Sequence, residues 1–151
     1  MKLAQALQER ADLNRKIQQL SSRISANALV QEGEKPAEDP KELLAQLEES
    51  TARLETLITA INLCNSRTVV DGESLTGLIA RRDCLTLKLN AYRNLVSEAS
   101  QTAYRASRSE IKIMSAVDVR ETQKMADELA KQLRLTDGKI QEINWTTEID
   151  V

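Results

Sequence analysis

Four stretches of this chain repeat apolar residues at alternating steps of three and four, and that periodicity constrains the fold more than any other feature. The first aligns Leu3, Leu7, Leu13, Ile17, Leu20 and Ile24, with Arg10 interrupting the line. The second carries Leu43, Leu47, Leu54, Ile58 and Ile61. A third runs through Leu75, Leu78, Leu85, Leu89, Tyr92, Val96 and Ala99, with Arg82 on the same line. In the fourth, Thr136 fills the gap in a series of Met125, Leu129, Leu133, Ile140 and Ile143. Such steps hold one face of a helix apolar but would scatter across both faces of a strand. Each stripe lasts about three heptads, the spacing of a bundle or coiled-coil seam.

The ends of these stripes carry helix punctuation. Asp39-Pro40-Lys41-Glu42 reads as N-cap, N1 proline and N3 glutamate, with proline where its missing N–H costs nothing. Asp118 and Glu121 repeat the N-cap and N3 pattern, and Ser74 caps a helix just after the turn residues Asp71-Gly72. The spacing therefore predicts helices over roughly 2–29, 40–65, 74–103 and 118–143, with an acidic loop over 31–39. Gly138 does not stop the last helix, because Ile140 and Ile143 continue its stripe at a cost of about 1 kcal/mol. Two segments break the helical period. Within 108–117, Ile111-Lys112-Ile113 alternates, and 144–149 alternates with β-branched residues, so the two are read as one short β-like element.

The expected fold is all-α: a single domain over 1–151, an elongated bundle of four long antiparallel helices with coiled-coil-like seams. At 151 residues, the chain is long enough to bury a core without staples. Only Cys64 and Cys84 bear thiols. Across the turn at 71–72 they would sit about 13 Å apart along their helices, too far for a disulfide, so both are expected buried and reduced, in the cytoplasm.

Composition excludes whole classes of chemistry. There is no histidine, which removes Ser-His-Asp and Cys-His catalysis, His-based zinc sites and Glu-x-x-His di-iron pairs. Net charge is −2 with both signs interspersed, so no basic face is concentrated enough to bind nucleic acid. Nor does any window approach the ~18 apolar residues of a membrane span, and the opening residues show no signal peptide. Glu32, Glu34, Glu38 and Asp39 lack the ligand spacing of a calcium loop and read as a solvated acidic turn. No phosphate loop, dinucleotide fingerprint or nucleophile elbow is present, and neither a metal nor a cofactor is expected.

Several residues stand out against this background. Arg10 and Arg82 fall on apolar stripes, where a charge sets register or partner and must be paired; Asp12, Asp83 and Asp127 are the candidate partners. An anion-binding or catalytic site in the bundle interior around Arg82 and Asp83 is the alternative. Ser109, Glu110, Ile111, Lys112 and Ile113 form either a Ser–Lys dyad or, on the preferred reading, an interface strand with a polar outer face, since Ser109 and Lys112 would point to opposite sides. Trp145, the single large aromatic, is expected to plug the end of the bundle or a neighbour's groove.

The stretches KLAQALQERADLNRKIQQL, QEGEKPAEDP, RRD, SRSEIKIMSAVDV and KIQEINWTTE resemble, in order and over essentially the whole chain, a family of small bacterial proteins labelled septicolysin-like. That resemblance implies a cytolysin acting on membranes, although the chain has neither an apolar hairpin nor long alternating strands with aromatic girdles. The residues themselves favour a cytoplasmic, non-enzymatic interaction or scaffold protein that forms a homo-oligomer through its helical seams. A membrane-active protein and an enzyme or anion binder built on Arg82 and Asp83 remain the alternatives.

Overall fold

The computed structural model describes residues 1–102 and 111–151. The fold is all-α, with four long helices: α1 (Leu3–Ala26), α2 (Pro40–Arg67), α3 (Leu75–Ala99) and α4 (Val119–Thr146). The strands β1 (Val69–Val70) and β2 (Glu73–Ser74) make a two-stranded sheet. Between them Asp71 and Gly72 both take positive φ, 53° and 80°, the conformation that a two-residue type I′ hairpin demands. Residues Asp71–Glu142 form one compact unit, and Met1–Val70 with Ile143–Val151 form the other.

In the first unit α1 and α2 run antiparallel, because Glu9 pairs with Arg53 and Arg23 with Glu38. The seam on α2 follows Leu43, Leu47, Ser50, Leu54, Leu57 and Ile61, with Leu43, Ser50, Leu57 and Ile61 buried. Leu57, not Ile58, occupies the core position, and Ile58 stays 39% exposed. Ser50 keeps the 3-4 step unbroken; its hydroxyl donates to the Gln46 carbonyl at 2.7 Å, so a polar residue sits in the seam with its proton satisfied. On α1, Leu3, Ala6 and Leu20 are buried.

A correction concerns the β-like element expected from 108–117 and 144–149. Residues 108–110 lie outside the described residues, and 111–117 contain no strand. Ile111 is 76% exposed, so the alternation there has no core to face. α4 runs on through Trp145 and Thr146, carried by burial of Ile143 and Asn144, and the Thr147 amide donates to the Ile143 carbonyl at 2.9 Å. The tail that follows pairs with the opening residues instead. Leu3 donates to the Thr147 carbonyl and Ile149 to the Met1 carbonyl, both at 2.9 Å, while Ile149 is buried.

In the second unit α3 and α4 are also antiparallel, as Lys139 meets Asp71 and Leu89 packs with Ala126 and Leu129. Leu85, Tyr92, Ala130 and Leu133 close around that cluster only in part. Ala126 takes the seam position assigned by periodicity to Met125, which is 46% exposed, because the small side chain fits against Leu89. Gly138 lies within α4, and the three expected caps form: Asp39 accepts from Lys41, Ser74 from Gly77 and Asp118 from Glu121, at 2.9–3.1 Å.

Candidate functional site

The feature of the second unit that its fold leaves unused is the outer side of α3. Leu75, Leu78, Arg82, Leu85, Leu89, Tyr92, Val96 and Ala99 face inward or toward the edge of the core. At 100° per residue, Ala80, Cys84, Leu87, Ala91 and Leu95 fall on the opposite side, again at steps of 4, 3, 4 and 4. All five are exposed, Leu87 at 72% and Leu95 at 43%. A helix normally turns one apolar stripe inward and a polar face outward; α3 presents apolar residues on two opposite faces.

Charged residues border this outer stripe. Asp83 lies on one flank and Arg81 with Lys88 on the other, since 83 precedes and 88 follows stripe positions. Arg81 is held by Glu73 at 2.6 Å. Arg82, at the edge of the inner stripe, donates to Asp83 Oδ1 from Nε and Nη2 at 3.0 and 2.8 Å, and its Nη1 lies 4.0 Å from Asp137. Of the acidic residues weighed for Arg82, the structure brings Asp83 to it and adds Asp137 from α4, which the stripe pattern did not single out. Arg10 is half-buried on α1 with no side-chain ion pair among the described residues.

Ser109 and Glu110 lie outside the described residues, so neither the Ser–Lys dyad nor the interface strand is described; Lys112, Ile111 and Ile113 are exposed. Leu95, Ile113 and Met114 line a small depression of about 220 Å³ in the second unit. Trp145 does not plug the end of the bundle. It is 61% exposed at the end of α4, beside Ala4, Gln8 and Asp12 of α1. A larger groove of about 680 Å³ in the first unit runs between the C-terminal half of α2 and the tail, lined by Thr56, Leu63, Cys64, Arg67 and Glu148 among others. Cys64 is half-buried and in contact with the Thr68 hydroxyl at 3.6 Å, whereas Cys84 is exposed, contrary to the expectation that both thiols are buried.

Electrostatics add clips rather than a reactive centre. Arg53 grips Glu9 with two bonds at 2.7 and 3.1 Å, and that hydrogen bonding holds the Glu9 carboxyl below its ordinary value. Hydrogen bonds from Arg23, Lys139 and Lys2 do the same for Glu38, Asp71 and Glu148. The acidic loop is thus tied to the end of α1 through Glu38, whose amide also donates to the Asn27 side chain at 3.0 Å. Among the described residues no three acidic or thiol groups gather in a way that would hold a metal, and no helix is long and apolar enough to cross a membrane.

Residues 10–149 match the model of DUF6847, a family of unknown function. The chain belongs to this family. It is also similar to a functionally unknown conserved protein from Corynebacterium diphtheriae, 40% identical, with a TM-score of 0.94 over 99% of each chain. No curated protein matches the sequence. These findings overturn the septicolysin-like resemblance: DUF6847 accounts for nearly all of the stretches that suggested it, and neither match carries a cytolytic label.

Proposed function

We propose that this DUF6847 protein is a non-enzymatic interaction protein that works by pairing with a second copy of itself through the outer face of α3. The observation that carries this reading is the exposed stripe Ala80–Cys84–Leu87–Ala91–Leu95, set opposite the face that α3 already buries. Each exposed leucine leaves about 1–2 kcal/mol of burial free energy unused in the single chain. Two-helix units enclose a core only partly, and the half-closed ring of Leu85, Tyr92 and Leu133 fits that picture. The absence of histidine from the sequence and the commitment of Arg82 to two carboxylates support a role without catalysis. Free thiols at Cys64 and Cys84 suit the cytoplasm, where they stay reduced.

The test is the solution mass by size-exclusion chromatography with multi-angle light scattering, over a concentration series. An even multiple of the single-chain mass is expected at micromolar protein. A monomer throughout that range would sink the proposal.

A further inference from the structure

We propose that the second copy docks on α3 in parallel and in register, so that Cys84 and Leu87 each face their own counterpart across a two-fold axis. This rests on the self-association proposed above and adds its geometry. Three observations point to it.

The outer stripe reads as coiled-coil seam positions, with Ala80 and Leu87 at d and Cys84 and Ala91 at a. The flanks then place Asp83 at g and Arg81 and Lys88 at e, where charges choose orientation. In an antiparallel pair the e flank meets itself, bringing Arg81 and Lys88 against the same cations. A parallel pair sets Asp83 against Lys88 of the partner subunit, twice by symmetry. Charge therefore selects the parallel arrangement.

Asp83 is also prepared for a second cation. Both bonds from Arg82 fall on Oδ1, and Oδ2 has no partner among the described residues. Lys88 is exposed and likewise makes no ion pair among the described residues. The attraction across the axis thus costs no bond already formed within the chain.

The third observation is the size of the seam residues. Ala80, Cys84 and Ala91 are small, so the two helices can approach to the short end of the ~8–10 Å range of interaxial distances. Subtracting two Cα radii of about 2.3 Å leaves roughly 4–6 Å between facing Cα atoms, inside the span of a disulfide. Cys84 is exposed in the single chain, so it is free to report on that distance. Coupling two Cys84 thiols with copper–phenanthroline forms one S–S bond, releasing two protons and passing two electrons to the oxidant.

The experiment is oxidation with copper–phenanthroline followed by non-reducing electrophoresis, beside light scattering of the same samples. Wild type and Cys64→Ser are expected to give a band at twice the chain mass, and Cys84→Ser none. In the Cys84→Ser background, Ala91→Cys restores the band and Thr86→Cys, which points away from the seam, does not. Asp83→Lys and Lys88→Asp each weaken association about tenfold, while the double swap returns it to within about threefold of wild type. A protein that is dimeric by scattering yet forms no Cys84 crosslink, or that crosslinks equally through Thr86→Cys, overturns the parallel register and leaves self-association standing. A monomer overturns both.

Discussion

Replacing Leu87 by glutamate separates the outer face of α3 from the fold of α3 itself. Leu87 is 72% exposed in the chain, so most of its transfer free energy is still available for association. Full burial of a leucine contributes about 1.5–3 kcal/mol, which leaves about 1–2 kcal/mol per chain and about 2–4 kcal/mol per pair. Removing that term raises Kd about 30- to 1,000-fold, and two carboxylates facing each other across the axis add to the loss. The single chain should not notice. Leucine and glutamate have similar helix propensities, and an exposed substitution shifts stability by about 0.5 kcal/mol or less. Sedimentation equilibrium over a concentration series measures the association, and thermal unfolding by circular dichroism at the lowest concentration measures the fold. A Leu87→Glu protein that associates within threefold of wild type would refute the argument, because no other exposed leucine occupies the centre of that stripe. If it also unfolded at low concentration, Leu87 would belong to the core, and the exposure on which the reasoning rests would be wrong.

Other perturbations test the fold that presents this face. Ser50→Ala should change urea-measured stability by less than about 1 kcal/mol, since only a bond to an already bonded helix carbonyl is lost, whereas Ser50→Leu should cost about 1–3 kcal/mol by overpacking the seam. Because Arg53 holds the Glu9 carboxyl below its ordinary 4.5, that pair contributes stability above pH 4.5 that disappears as pH falls through the lowered value. Glu9→Gln should flatten this part of the acid-unfolding profile, and an unchanged slope would mean that the pair does not form in solution. Asp118→Ala should cost about 1 kcal/mol in thermal or urea unfolding through loss of the α4 N-cap, with no effect on the Cys84 crosslink. Gly72→Val should cost more than 1 kcal/mol by the same measurement, because a β-branched residue resists the positive φ at that turn.

The long helices and their caps were readable from periodicity and from the residues at 39–42, 74 and 118–121, since each signal is local. The exact seam was harder to read. On α2 the rule that apolar residues define the stripe prefers Ile58, but helix geometry puts Leu57 inward and asks Ser50 to fill the next position. α4 repeats the lesson, with Ala126 buried and Met125 left outside. In both cases a small residue holds the seam where two helices come close, and hydrophobicity alone ranks it below a larger neighbour. The tail failed for a different reason. β-branched residues at 146–149 raise strand preference only weakly, and burial of Ile143 and Asn144 extends the helix before the chain straightens. What pairs with that tail is the opening of the chain, a contact that no local pattern announces.

The outer stripe of α3 escaped a reading by periodicity because two stripes on opposite faces are not resolved by asking where the strongest one lies. Leu75, Leu78, Leu85 and Leu89 dominate, and Leu87 and Leu95 then look like isolated exceptions. Their meaning appears only once the inner face is known to be occupied. A helix that spends apolar residues on both sides is suited to a place between two neighbours, and α4 supplies one of them. The polar residues argue the same way. If α3 faced only water outside, Asp83 and Lys88 would be free to sit anywhere on that surface; instead they lie on opposite flanks of the one stripe that lacks a cover. The arrangement is therefore informative about orientation as well as about contact, since the same two charges that a parallel copy would join are those that an antiparallel copy would separate.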